Sequence, residues 1–182
     1  MSAARYLPPV AIAVALGRLL AGRISFPKDP TGRLLTMEDG EEHTVFREVR
    51  VASSVPVPAE SMNVLRVRFK FARFSPAANR RLSLVPIPVI IGMPGFRRKI
   101  WTFCDKSGYS QGIYQFESME TAEGYVRSPV MRILERRSVP GSFSHKIVPD
   151  TLIEDYLEER WGYASTKYSD NDCRKIDRVQ DA

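Results

Sequence analysis

Residues 92–149, GMPGFRRKIWTFCDKSGYSQGIYQFESMETAEGYVRSPVMRILERRSVPGSFSHKIVP, carry the punctuation that decides the fold. Met93-Pro94-Gly95 reads as a turn, after which residues 96–103 alternate, Lys99, Trp101 and Phe103 on one side, Arg98, Ile100 and Thr102 on the other. Such alternation predicts a strand, because successive side chains of a strand leave opposite faces. Asp105-Lys106-Ser107-Gly108 supplies a hairpin connection, since Asp, Ser and Gly accept turn backbones readily. Residues 111–117 return as a second strand, with Gly112, Tyr114 and Phe116 on one face. Ser118 is placed to cap a helix that has Glu120 in its first turn and an apolar stripe of Ala122, Tyr125 and Val126. Ser128-Pro129 restarts a second helix carrying Val130, Ile133 and Leu134, because the first helical position has no need of the donor that proline lacks. Residues 142–148 close the stretch as a strand, Phe143, His145 and Ile147 alternating with Ser144, Lys146 and Val148.

Working upstream, residues 62–74 give the clearest alternation, with Leu65, Val67, Phe69 and Phe71 on an apolar side and Arg66, Arg68 and Lys70 on a basic one. Ser75-Pro76 opens a helix of about two turns over residues 77–84. Pro86 and Pro88 end it and leave residues 85–91 extended or irregular. The order strand, helix, strand, strand, helix, strand over roughly 90 residues is that of a ferredoxin-like unit, so the fold class is α+β, βαββαβ around an antiparallel sheet. Helices on one face leave the other face uncovered and in need of a partner.

The flanks read as extensions, which divides the chain into residues 1–60, 61–149 and 150–182. Residues 43–51 alternate Val45, Arg47, Val49 and Val51 against Thr44, Phe46, Glu48 and Arg50 and predict one more strand, whereas residues 25–40 read as a linker or surface loop. The apolar run of residues 10–16, set among Arg5, Pro8, Pro9 and Arg18, falls short of the roughly 20 apolar residues of a bilayer span. Three readings remain open for residues 1–22: a signal peptide, a peripheral membrane contact, or an amphipathic helix packed on its own protein or a partner. Residues 151–161 form a charged helix candidate, followed by a polar tail.

Of the 182 residues, 43% are hydrophobic and 26% charged, a globular balance that excludes wholesale disorder. Lys and Arg exceed Asp and Glu by 27 to 21, a net charge of +6; without a basic run or an aromatic-basic motif this predicts no nucleic-acid partner. Cys104 and Cys173 form no CxxC or Cys/His grouping, and His43 and His145 are the only histidines. No metal site or disulfide framework follows, and a reducing cytoplasm is the expected setting.

The runs Gly92-Met93-Pro94-Gly95-Phe96-Arg97-Arg98-Lys99-Ile100-Trp101, Gln111-Gly112-Ile113-Tyr114-Gln115-Phe116-Glu117-Ser118 and Ala122-Glu123-Gly124-Tyr125 with Ser128 resemble, in this order, the monooxygenase-like branch of the dimeric α+β barrel proteins, related to antibiotic-biosynthesis monooxygenases. The resemblance spans about residues 62–149. It implies a homodimer in which two sheets close a barrel, with a pocket between each sheet and its helices, and an oxidoreductase acting on an aromatic or polyketide-like small molecule. The branch includes cofactor-free enzymes, so no cofactor is expected; haem is the alternative, and a non-catalytic ligand-binding or accessory homodimer is the other. Pro86 and Pro88 depart from the pattern by shortening the first helix, which in relatives helps to wall the pocket.

The candidate site residues follow. Trp101, Phe116 and Tyr125 are aromatic enough to line a pocket for a flat ring; Lys99 and Arg68 could hold an anionic group; Tyr114 and His145 are the candidate catalytic groups, His145 as the one side chain that exchanges protons near neutral pH. Each has a plainer reading as sheet core, interface, cap or solvated charge. A phosphate-binding glycine loop, a nucleophile elbow and a metal-ligand cluster are all missing from the sequence.

Overall fold

The computed structural model describes residues 3–72 and 76–161. Its strands are β1 (Ile24–Ser25), β2 (Leu34–Thr36), β3 (Glu42–Val51), β4 (Asn63–Phe69), β5 (Phe96–Phe103), β6 (Ser110–Phe116) and β7 (Ser144–Val148). The helices are α1 (Pro8–Leu20), α2 (Pro76–Leu82), α3 (Ile87–Ile90), α4 (Met119–Val126), α5 (Pro129–Arg137) and α6 (Ile153–Glu158). One sheet runs β1-β3-β5-β6-β4-β7, with β2 also on β3, and its pairings are antiparallel. Within it β4, β5, β6 and β7 stand in the order β5-β6-β4-β7, with α2 leading the first crossover and α4–α5 forming the second. That is the ferredoxin-like α+β arrangement predicted above.

Local chemistry explains the elements that were expected. Ser118 closes a capping box with Thr121, and Ser128 accepts the Met131 N–H at 3.5 Å ahead of Pro129, so each helix begins with an orphan donor satisfied. Gly95 turns into β5 at φ +66° and Gly108 completes the β5–β6 hairpin at φ +72°, conformations that a Cβ disfavours.

The two sheet faces are covered differently. On the first face Leu65, Val67, Trp101, Tyr114 and Phe116 pack against Ile90, Met93, Tyr125 and Met131 from α3, α4, α5 and the turn before β5. On the second face Val45, Val64, Ile100 and Ile113 pack against Leu35, Met37 and the α6 side chains Ile153, Tyr156 and Leu157. The expectation that this face waits for a second copy of the chain is therefore corrected. Ile153, Tyr156 and Leu157 stand at i, i+3 and i+4, one stripe of a short helix, and Gln115 moors its start by accepting the Ile153 N–H and donating to Thr151 O at 3.0 Å. Burying side chains of this size stabilises by about 1.5–3 kcal/mol each, so the chain supplies its own cover. Below that cover the side chain of Glu48, fully buried, meets Arg98 Nε at 2.6 Å, and Arg98 reaches Glu154 of α6.

Three further details differ from the sequence reading. Residues 25–40 are not all loop, since β2 pairs with β3. A register shift between Val45 and Arg47 breaks the alternation of β3, so Val45 lies in the second-face core and Val49 and Val51 in the first; a bulge of one residue exchanges the faces of everything after it. Residues 87–90 form one helical turn instead of an irregular stretch, with proline at its start, where no donor is missed. Ser75, the expected cap, and Cys173 with the polar tail lie outside the described residues. As for α1, Ala11 and Ala15 are buried, and a Cβ on Gly92 would collide with the Ala11 carbonyl, while Ile12, Leu16, Leu19 and Leu20 stay exposed. Among the described residues no helix is long and apolar enough to cross a membrane.

Candidate functional site

The first face does not close completely. Between it and the helices lies a cavity of about 370 Å³, within the size range of small-molecule sites. Phe69, Trp101, Phe103 and Tyr114 form its floor, and Val89, Ile90, Tyr125, Ile133 and Leu134 its roof and walls. Gly112 makes the floor possible. It sits opposite Trp101 in the ladder, and a Cβ there would stand 2.7 Å from Tyr114 Cε2, so the Tyr114 ring lies flat over the space a side chain would fill.

Two polar features face this apolar space. The first is Lys99, on the same side of β5 as Trp101. The residue is only 5% exposed, and its Nζ lies 4.2 Å from the centre of the Trp101 ring and 4.4 Å from that of Tyr114. Among the described residues Nζ has no hydrogen-bond or ion-pair partner. Burial, reinforced by the Arg47 guanidinium, pushes its pKa well below the usual lysine value, because a charge cannot easily be kept where water is excluded. The second is a hydrogen-bonded pair of phenols, Tyr125 Oη–H donating to Tyr114 Oη at 3.4 Å. Burial raises both pKa values, so each phenol stays protonated and the Tyr114 hydrogen remains free to donate.

The rim is cationic. Arg80 and Arg137 line the cavity, and Arg47 sits 6.0 Å from the Trp101 ring, bonded through Nη1 to Ser83 Oγ and through Nη2 to Arg80 O at 3.3 Å. A positive mouth over apolar walls suits a ligand that is flat and greasy with an acidic oxygen at one edge.

Of the residues singled out from the sequence, Lys99, Trp101, Tyr114 and Tyr125 come together here. Phe116 does not reach the cavity; fully buried, it packs behind the floor, 5.3 Å from the Tyr125 ring and 6.2 Å from that of Tyr114. His145 is exposed on the edge strand β7 beside Phe143 and lines no part of the cavity. Arg68 is on the second face, 3.3 Å over the Tyr109 ring and paired with Asp39 and Glu41. The roles expected of His145 and Arg68 in the pocket are therefore corrected: alternation gives a side of the strand, and neither the cover above it nor the partner beside it.

Sequence reasoning missed Phe46, Phe103, Arg80 and Arg137 as cavity residues, and Arg47 beside them. Phe103 belongs to the alternating set of Lys99 and Trp101, but Phe46 and Arg47 are hidden by the β3 bulge, and α2 and α5 bring the other arginines in from far along the chain. It missed a polar cluster as well. Glu41, His43 and Cys104 bring ligand-type atoms within 4.8 Å of one another. Their donors are already engaged, His43 by Thr102 at 3.3 Å and Gln111 at 3.0 Å, and Glu41 by Arg68 and Ser107. Burial keeps His43 neutral by lowering its pKa, and we read the cluster as a hydrogen-bonded part of the second face.

No protein-family model matches the chain, and no curated protein matches it. Solved structures do resemble it. One is an uncharacterised ferredoxin-fold protein related to antibiotic biosynthesis monooxygenases from Listeria monocytogenes, 12% identical over 72% of this chain and 85% of that one, with a TM-score of 0.44. A monooxygenase-like protein from Listeria innocua is 9% identical over 69% of this chain and 89% of its own, TM-score 0.44. A heme-degrading enzyme from Listeria monocytogenes is 13% identical over 69% and 95%, TM-score 0.42. At such identities and TM-scores the likeness carries no argument, and it is this chain's own strand order that carries the fold assignment.

Proposed function

We propose that the cavity binds a flat aromatic or polyketide-like molecule and that the protein oxidises it as a cofactor-independent, monooxygenase-like enzyme. The observation that supports this most is the amine of a buried lysine, unpaired among the described residues, sharing one aromatic-walled space with a protonated phenol pair. In this reading the rings of the ligand stack against Trp101 and Tyr114, and the cationic rim draws in its acidic edge. The neutral Lys99 Nζ accepts a proton from an acidic C–H or O–H of the ligand. Tyr114 donates a hydrogen bond to the oxygen on which the charge develops, in a site dry enough for that bond to count. The electron-rich anion is then the reductant for dissolved oxygen. For an activated methylene, CH₂ and O₂ become C=O and H₂O, the substrate supplying all the electrons.

Haem does not fit the cavity. Its lining offers no histidine, cysteine or methionine among the described residues, and the two tyrosines are bonded to each other; no step is routed through iron. The place of His145 in solvent favours the other reading, a non-catalytic ligand-binding protein, and Lys99 is the observation against it. Oxygen uptake with a panel of phenolic and polyketide-like ketones separates the two. Turnover by wild type that falls at least about tenfold in Lys99→Met, with ligand affinity retained, supports the enzyme; tight binding without oxygen uptake across the panel removes it.

A further inference from the structure

A free amine is a nucleophile as well as a base, and three features of the surroundings of Lys99 bear on which carbon it would meet. Among the described residues it is the one lysine lining the cavity and has no carboxylate or carbonyl partner to hold its lone pair away, and it lies against the faces of two rings. We infer that Lys99 captures a carbonyl of the bound molecule as an imine, which makes the ligand an aromatic ketone or aldehyde. The inference rests on the cavity being the ligand site and goes beyond the proton transfer proposed for it.

The chemistry balances without a further reactant. The Nζ lone pair adds to the carbonyl carbon, the π electrons pass to oxygen, and that oxygen takes up a proton; the carbinolamine then loses its oxygen as water. Overall R₂C=O and the Lys99 amine give R₂C=N–Lys99 and H₂O. Both hydrogens of the water come from the amine, and Tyr114, its hydroxyl hydrogen not used by Tyr125, is the group positioned to relay them: it protonates the departing oxygen and recovers a proton from the nitrogen, while Tyr125 supports it through the 3.4 Å hydrogen bond. The apolar walls oppose return of the released water. When the imine is protonated, the faces of Trp101 and Tyr114 at 4.2 and 4.4 Å from the nitrogen attract the cation, as aromatic faces do. A lysine on the surface has neither the apolar walls nor the two ring faces beside its nitrogen.

The test uses the intact protein, 2-naphthaldehyde as probe and cyanoborohydride to fix any imine, with peptide mapping by mass spectrometry. The expected result is one naphthylmethyl group on Lys99, added at least about tenfold faster than on any other lysine, since each pKa unit of depression gives tenfold more free amine near neutral pH. It should be absent in Lys99→Met, which keeps the cavity apolar. Displacement of the dye anilinonaphthalene sulfonate reports entry of the aldehyde separately. If the aldehyde displaces the dye yet labels lysines indiscriminately or not at all, the imine is refuted while the cavity reading stands. If it displaces nothing and labels nothing at Lys99, both fall.

Discussion

Replacing Lys99 by methionine should make the protein more stable, which is the opposite of what most core substitutions do. Methionine matches the unbranched stem and its thioether suits the neighbouring rings, so the exchange is close to volume-conserving and carries little packing penalty. What it removes is the amine of a residue only 5% exposed, set against two ring faces and without a hydrogen-bond or ion-pair partner among the described residues. Burying such a group unpaired costs about 1–3 kcal/mol by protein mutational data, and that is the expected gain. At roughly 2–4 °C per kcal/mol for a chain of this size, the melting temperature at neutral pH should rise by about 2–12 °C. The effect must also depend on pH. Because the folded pKa of Lys99 lies below that of the unfolded chain, the unfolded state holds more protons between the two values, and wild-type stability climbs with pH across that window. The gain in the mutant should therefore be greatest on the acid side of the window and shrink toward alkaline pH. Urea unfolding of both proteins from pH 6 to pH 10 measures this directly. A mutant destabilised by more than about 1 kcal/mol, or a difference that stays flat with pH, would show that the amine is paired or wet and would refute the reasoning.

Other consequences of the same structure can be measured alongside. Gly112→Ala drives the new methyl into the Tyr114 ring, 2.7 Å away, so it should lower stability by about 1–3 kcal/mol and weaken aromatic-ligand binding; unchanged affinity in isothermal titration would mean that Tyr114 is not part of the binding surface. Glu48→Ala leaves Arg98 buried without its 2.6 Å partner and should cost about 3 kcal/mol in urea unfolding, with Glu154 limiting the loss; a cost under about 1 kcal/mol would place this pair in solvent. Leu157→Asp should lift α6 off the second face, exposing Val64, Ile100 and Ile113, and light scattering should show association that wild type lacks. A wild type already dimeric through that face would show no such change. Tyr114→Phe should leave ligand affinity within about threefold, the loss of one modest hydrogen bond, while lowering oxygen uptake further than binding; an equal loss in both would make the hydroxyl a binding group alone.

How legible each part was depended on whether it was local. The β5–β6 hairpin could be read because alternation and Gly108 coincide within a few residues, and α4 and α5 because Ser118 and Ser128-Pro129 state their own beginnings. The bulge after Val45 was not readable, since an extra residue in β3 has meaning only against its partner β5. Nor was β2, three residues long and defined by pairing alone. The apolar stripe of α6 was present in Ile153, Tyr156 and Leu157, but nothing local tells such a helix to fold back over its own sheet instead of meeting another chain. At the site, periodicity put Lys99, Trp101 and Tyr114 on their correct sides. It put His145 there equally well, and the edge position of β7 then left that ring in solvent. What gives Lys99 its chemistry is the want of any carboxylate partner among the described residues, a property of every other element at once.

The account turns on one cavity being the place where a ligand and the Lys99 nitrogen meet. The most direct measurement is a crystal structure of the protein reacted with 2-naphthaldehyde and cyanoborohydride. The predicted result is continuous density from Lys99 Nζ into a flat ring system lying between Trp101 and the Tyr114–Tyr125 pair. An empty cavity, with the label on outward-facing lysines, would contradict it.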